Sequence, residues 1–334
     1  MIGAFPWCLS ASSTRRAPAG QRFFQVSSKQ TEPQILAVGT CPPEQLQRKC
    51  EKTLVRWIDD DAFYFRLISS FLRERGSEDA LVVDVGGNHG FYTAYAAKLG
   101  YMVHYFEPQP SLCTRACLAM VANNLSVQVS FFTAGVGRSR TTAEIMSSEG
   151  LAYAGGACTA GATADRCMQV YSLDSIYSAV KAARHQFIAL LKLDNEGWEL
   201  PVLQGATRLL AQTIEVSGQR RARVGSLFVE IVPGRWLERS GLSVSQGTEV
   251  LAGVVRLGYV VQVVTKDDDM CPHALVPSAV ACKDQPFCAT VVAASEVSAL
   301  MERMTALDTT KRPGQWTCCN FWLTHESWQQ HDAR

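Results

Sequence analysis

Val82-Val83-Asp84-Val85-Gly86-Gly87-Asn88-His89-Gly90 is the stretch on which the reading of this chain turns. Leu81–Val85 is a short, β-rich apolar run broken only by Asp84, and it passes directly into a glycine loop. A helical pattern follows over Phe91–Leu99 and stops at Gly100. Strand, glycine loop and helix in that order open a parallel α/β sheet, where ligands bind in the crevice beyond the C-terminal ends of the strands. Gly86, Gly87 and Gly90 let backbone approach a ligand closely and take positive φ. The helix N-terminus that follows supplies unpaired N–H groups.

Outward from the loop the alternation continues. Strands are expected at Val103–Phe106, Val127–Thr133, Ile188–Leu193, Leu227–Val232 and Tyr259–Val264, with a last one within Thr317–Thr324. Helices are expected at Leu112–Leu125, Pro201–Ala211 and Val250–Leu257. Such alternation predicts a mainly parallel sheet covered by helices on both faces. Before it, apolar residues from Leu54 to Leu72 recur at helical spacing, which predicts one or two amphipathic helices as an extension over 51–80. Two stretches interrupt the rhythm. Ser147–Ala164 is Gly, Ala, Ser and Thr with little to pack, and reads as a mobile loop. Lys266–Cys288 carries Asp267, Asp268 and Asp269 and reads as a solvated acidic loop.

The composition excludes several classes. The chain has 334 residues, 47% hydrophobic and 19% charged, enough to bury a core without disulfides or metals. A formal net charge of +1 argues against nucleic acid as a partner. The longest apolar run, Val250–Val264, is cut by Arg256 and falls short of the ~18 residues of a membrane span. Arg220, Arg221 and Arg223 form the one basic cluster outside the N-terminus and read as a solvated loop. Residues 1–31 lack Asp and Glu but carry Arg15, Arg16, Arg22 and Lys29. That bias reads as an organelle transit peptide or as a disordered tail, so residues 1–50 are left outside the fold, which is expected over 81–325. Without a transit function the chain would be cytoplasmic. Twelve cysteines without a C-x-x-C spacing read as scattered thiols, with disulfides if the chain is secreted; no metal site is expected.

The glycine register bears on which ligand the crevice takes. Gly86, Gly87 and Gly90 do not fit the G-x-G-x-x-G of a dinucleotide site. Asp84 is awkward beside a pyrophosphate but suits a ligand with a positive end, such as the ammonium of an amino-acid moiety. Phe106-Glu107-Pro108 ends the second strand, placing a carboxylate where it can bind two ribose hydroxyls. Together these favour S-adenosylmethionine. The third cluster is Leu191-Lys192-Leu193-Asp194-Asn195-Glu196-Gly197-Trp198-Glu199, with Asp194 and Glu196 just past the fourth strand. Glu199 reads as a helix-capping acid that suits the dipole. Glu230 stands among apolar residues in Val229–Pro233, where a carboxylate must be paired or functional.

These blocks, with Val170-Tyr171-Ser172-Leu173-Asp174-Ser175-Ile176 between them, resemble the FkbM-type family of S-adenosylmethionine-dependent methyltransferases over roughly Leu81 to Tyr259. The resemblance implies a Rossmann-like class I methyltransferase fold, a seven-stranded sheet with a reversed last hairpin. It also implies O-methylation of a small-molecule or saccharide-like acceptor. Asp84, Gly86, Gly87, Asn88, Gly90, Phe91, Glu107 and Pro108 would form the cofactor site. Asp194 would lie at the boundary between cofactor and acceptor. Gly87 stands where Ala is usual, a mild change, and Asn195 where an apolar residue is usual. No acid follows the third strand at Ala134-Gly135-Val136-Gly137 to read the adenine amino group. A hydroxyl acceptor must lose its proton, and the candidates to take it are Asp194, Glu196 and Glu230, in that order, ahead of His89. His89 reads as a solvated or capping loop residue. The rival readings are a catalytically inactive methyltransferase-like scaffold, which the Asp84–Glu107 set disfavours, and a NAD-dependent oxidoreductase, which the glycine register disfavours. The sequence carries no mark of an oligomeric state.

Overall fold

The computed structural model describes residues 22–27, 33–41, 47–74, 80–148, 151–154, 158, 166–179, 186–216, 218–265, 288–308 and 317–329. The chain divides into two compact units, Met1–Ala134 and Gly135–Arg334. Among the described residues no helix is long and apolar enough to cross a membrane.

The first unit begins earlier than the sequence suggests. Strands β1 (Arg22–Ser27) and β2 (Leu36–Cys41) pair as an antiparallel hairpin. Ile35, Ala37 and Val38 are buried, so this hairpin belongs to the packed structure although the sequence reading leaves it outside. The reason is a side chain far along the chain. Asn123 donates to Leu36 O and Ala119 O, both at 2.7 Å, and its Oδ1 accepts from Leu36 N at 3.0 Å. The expected N-terminal helices follow as α1 (Gln47–Asp60) and α2 (Ala62–Glu74). α1 buries Leu54 and Ile58, four apart, and leaves its charged face in solvent. Tyr101 donates its hydroxyl to Leu72 O, which fixes α2. Then come β3 (Leu81–Val85), α3 (Phe91–Lys98), β4 (Met102–Phe106), α4 (Pro110–Ala122) and β5 (Val129–Phe132). The strands lie parallel in the order β5-β4-β3. All five residues of β3 are buried, as expected of a parallel strand covered on both faces. Proline at the first position of α4 sets its start, because no helical partner is needed there for the missing N–H.

The second unit opens with a small sheet of β6 (Gly135–Val136), β7 (Thr141–Ser148), β8 (Leu151–Ala154) and β9 (Cys167–Tyr171), ordered β6-β9-β7-β8. Its β7–β8 hairpin corrects part of the mobile loop expected at Ser147–Ala164: residues 147–148 and 151–154 are paired strand and Cys158 is bridged to Cys167, while the rest of that stretch lies outside the described residues. After α5 (Leu173–Ala179) and β10 (Ile188–Leu193) the helix expected at Pro201–Ala211 is two short ones, α6 (Glu199–Gln204) and α7 (Thr207–Ala211). A hairpin of β11 (Thr213–Val216) and β12 (Gln219–Ala222) leads into β13 (Val224–Ile231). Next are α8 (Pro233–Ser240), α9 (Val244–Arg256), β14 (Tyr259–Thr265) and β15 (Cys288–Val292). Last are α10 (Val297–Asp308), β16 (Cys319–His325) and α11 (Glu326–Gln329). The acidic stretch Asp267–Asp269 lies outside the described residues.

Strand order in this unit is β10-β13-β16-β14-β15. β13 runs parallel to β10, and β16 runs antiparallel to both β13 and β14. Taken unit by unit, the strand orders, three parallel strands in the first and a reversed last hairpin in the second, are those expected of the Rossmann-like fold that the sequence resemblance implies. β15 adds a further antiparallel strand on β14. The basic cluster is not a solvated loop. Arg221 and Arg223 are buried, Arg221 over the Trp328 ring at 4.5 Å and Arg223 bonded to Gln212 at 2.6 Å and 5.6 Å above the Tyr177 ring. Guanidinium stacking on aromatic faces accounts for arginine here.

Replacing Asn123 with Ala leaves the N–H and C=O of Leu36 without their side-chain partner. We expect Asn123→Ala to lower stability by about 2–3 kcal/mol, read from the urea midpoint, with local hydrogen exchange rising across β1 and β2.

Candidate functional site

In the first unit the glycine loop folds back on the end of β4. Gly86 N and Gly87 N both donate to Phe106 O, at 3.0 and 3.1 Å, and Gly90 N donates to Gly87 O at 2.7 Å. The register that sets Asp84 against Tyr105 and Val85 against Phe106 brings the loop beside Glu107. Glu107 is buried. Its Oε2 accepts from Asn88 N at 3.1 Å and its Oε1 from Gln109 N at 2.9 Å. This carboxylate therefore braces both loops. Asn88 sits at φ +47°, a left-handed conformation that asparagine tolerates better than most residues, and is exposed at the loop tip. Asp84 is buried and accepts from Thr93 Oγ1, on α3, at 2.7 Å. Phe91 opens α3, and Pro108 is half-buried beside Glu107. All eight residues expected at the cofactor site thus gather at the C-terminal ends of β3 and β4.

Gly87 is not the mild exchange the sequence suggests. A Cβ there would stand 2.2 Å from Tyr105 Cε2. The Tyr105 hydroxyl donates to Asn88 O at 2.6 Å. Burial, with the charges of Glu107, Cys113 and Asp84, pushes that hydroxyl well above its ordinary range and keeps it a donor. The large tyrosine and the missing methyl are one packing solution. His89 also differs from its reading as a solvated or capping residue. It is buried, with ring centroids 5.5 Å from Trp57 and from Phe91. Burial first, then the Arg115 charge, lowers its pKa to about 4 against a hydrogen bond to the Val38 backbone. The imidazole is neutral and ties the loop to the N-terminal hairpin.

In the second unit the loop between β10 and α6 carries consecutive left-handed residues, Glu196 at φ +58° and Gly197 at φ +96°. Glycine adopts this freely; glutamate does so at a cost of roughly 1–2 kcal/mol. Glu199 holds the turn. Its Oε1 accepts from Asn195 N at 2.7 Å and from Gly197 N at 3.1 Å, and the side chain is 0% exposed. This is a brace on the loop, beyond the capping expected from sequence. Burial raises the Glu199 pKa to about 7, against the pull of those backbone donors. Glu196 accepts from Arg235 Nη1 at 2.7 Å. Asp194 lies 3.4 Å from Lys192 Nζ, with its side chain 40% exposed. Glu230, near the end of β13, accepts from Cys318 Sγ at 3.1 Å. Burial, then Asp194, Glu196 and Glu199, raise the Glu230 pKa well above the carboxylate range, so it is a neutral acid. Trp198 packs on the small sheet, against Ala143, Met168 and Val170.

The structure thus brings Asp194, Glu196 and Glu230 together and separates their states. Sequence reasoning missed Thr93, Tyr105, Arg235 and Cys318. Arg235 is 39 positions from Glu196 and Cys318 is 88 from Glu230, so no local spacing marks them. The Tyr105–Gly87 pair had a signal: the glycine that replaces the usual alanine implies a large neighbour. Among the described residues no group of three or more His, Cys, Asp and Glu side chains is arranged to hold a metal ion.

Residues 84–242 match the family model described as the methyltransferase FkbM domain. A methyltransferase from Agrobacterium tumefaciens, described as SAM-dependent, is 11% identical, with 93% of this chain and 72% of that chain covered at a TM-score of 0.41. A second, from Geobacter sulfurreducens, is described as a SAM-dependent methyltransferase in complex with S-adenosyl-L-homocysteine. It is 13% identical, with 78% of this chain and 90% of that one covered and a TM-score of 0.35. A precorrin-6y C5,15-methyltransferase from Geobacter metallireducens is 8% identical, covering 79% and 86%, with a TM-score of 0.35. No curated protein matches the sequence.

Two outcomes follow from this geometry. Gly87→Ala should destabilise by about 2 kcal/mol, the cost of overpacking against a buried ring, in thermal or urea unfolding. Glu199, with a folded pKa near 7 against 4.5 as its ordinary value, favours folding most at low pH. That advantage is lost as pH rises from about 4.5 through 7, by about 3 kcal/mol in all. Glu199→Gln should remove that part of the pH dependence, measured as the difference between the two stability profiles over pH 4–8.

Proposed function

We propose that this FkbM methyltransferase domain transfers the methyl group of S-adenosylmethionine to a hydroxyl on a small-molecule or saccharide-like acceptor. The observation that carries the reading is the division of labour among four neighbouring carboxylates. Glu196 is held in an ion pair, Glu199 in backbone bonds and Glu230 in its neutral form, whereas Asp194 keeps a substantial exposed surface.

The residues of the first unit fit the cofactor. Glu107 stands just past the end of β4, where a carboxylate suits ribose hydroxyls, and the glycine loop brings backbone beside Asp84. When bound, the cofactor supplies an electrophilic methyl on a sulfonium sulfur. The chain's task is to hold the acceptor oxygen in line with it, exclude water and accept the hydroxyl proton. Asp194 is the base in this reading. Glu230, neutral and with Oε2 buried without a hydrogen-bond partner, orients the acceptor through a hydrogen bond. The Arg235–Glu196 pair keeps the loop in place.

The test is calorimetric titration of the full chain with S-adenosylhomocysteine, with NAD as control. Micromolar binding is expected, weakened at least tenfold in Asp84→Ala, whereas no binding by folded protein overturns the reading. Asp194→Asn should leave that binding intact and lower methyl transfer to hydroxyl acceptors by about 10²–10⁴-fold, the usual contribution of a general base. Unchanged transfer would remove Asp194 from the role.

A further inference from the structure

We propose that Asn124 is an N-glycosylation site, modified in an oxidising secretory compartment. This inference is independent of the chemistry proposed above. Asn124-Leu125-Ser126 has the N-x-S acceptor pattern, and none of the other asparagines, Asn88, Asn123, Asn195 and Asn320, is followed by Ser or Thr at the second position.

The tertiary context separates two adjacent asparagines. Asn123 is buried, and its amide is committed to Leu36 and Ala119. Asn124 is exposed, in the turn that ends α4, at φ +59°. Its backbone N bonds to Val121 O at 3.1 Å. Left-handed geometry after a helix explains an asparagine at this position. It does not explain a hydroxyl residue two positions later, or what surrounds the turn. Among the described residues, Val121, Val127 and Met102 are large apolar side chains left exposed, at 36%, 73% and 39%. Val121 and Val127 flank Asn124 in sequence. Met102 begins β4, whose Val103 N bonds to Gln128 O just past Val127. A glycan on Asn124 would lie over these side chains and screen them from association.

The cysteines supply the compartment. Cys158 and Cys167 form a disulfide, and Cys50, Cys117 and Cys319 are disulfide-bonded as well. Structural disulfides in such number mark chains that fold where thiols are oxidised, and are rare in a reducing cytosol. That is also where oligosaccharide transfer to asparagine occurs. In the transfer, Asn124 Nδ2 forms a bond to the anomeric carbon of an oligosaccharide. The bond from that carbon to the diphosphate of a lipid carrier breaks, the lipid diphosphate leaves with the electron pair, and Nδ2 gives up a proton to a base.

The test is expression of the full chain in eukaryotic cells, followed by peptide N-glycosidase treatment. We expect a downward mobility shift, with heavy-oxygen labelling of the Asn124 peptide on release. Asn124→Gln and Ser126→Ala should both abolish the shift, and Ser126→Thr, which preserves the acceptor pattern, should retain it. Recovery of the wild-type chain with no shift overturns the proposal, and so does a shift that persists in Asn124→Gln.

Discussion

Glu107 and Glu199 each place a buried carboxylate beneath a loop and satisfy its backbone N–H groups. Glu107 takes the N–H groups of Asn88 and Gln109; Glu199 takes those of Asn195 and Gly197. Both loops contain a non-glycine residue in the left-handed region, Asn88 in one and Glu196 in the other. Such turns leave N–H groups pointing inward with no strand or helix to receive them. An unpaired buried donor costs about 1–3 kcal/mol, so without the carboxylates neither loop would keep its shape. Whatever binds at these loops binds to a backbone that acids hold in place.

The same economy creates the electrostatics of the second unit. Burying Glu199 and Glu230 near Asp194 and Glu196 concentrates more negative charge than the interior can carry. Arg235 answers one carboxylate with a charge-assisted bond. Glu230 answers by holding its proton, with the Cys318 thiol as its partner. The outcome is a set of chemically similar side chains in different states: one paired with Arg235, one bonded to backbone, one neutral, and one beside Lys192 with much of its surface in solvent. Environments that drive like groups apart in this way are a recurrent property of sites that move protons.

Much of the architecture was legible from residues. A strand buried on both faces reads as an unbroken apolar run, and β3, β10 and β13 announce themselves so. The glycine loop and Glu107 could be placed because strand ends in a parallel sheet converge whatever the intervening sequence. The N-terminal hairpin could not be placed. β1 and β2 are short, and what holds them is Asn123, 87 positions from Leu36. The Arg221 and Arg223 stacks were hidden for the same reason, since Trp328 and Tyr177 lie far along the chain.

The sequence by itself determined strands β3, β4, β5, β10, β13, β14 and β16 with the helices between them, the glycine loop, and which acids stand at strand ends, because periodicity and backbone preference are local. Only the tertiary structure decided what each acid does. Asp194, Glu196, Glu199 and Glu230 are equal in sequence as carboxylates. Burial, a distant arginine and a distant thiol make them unequal. The cost of charge depends on the neighbours that folding brings near, and those neighbours have no fixed spacing along the chain.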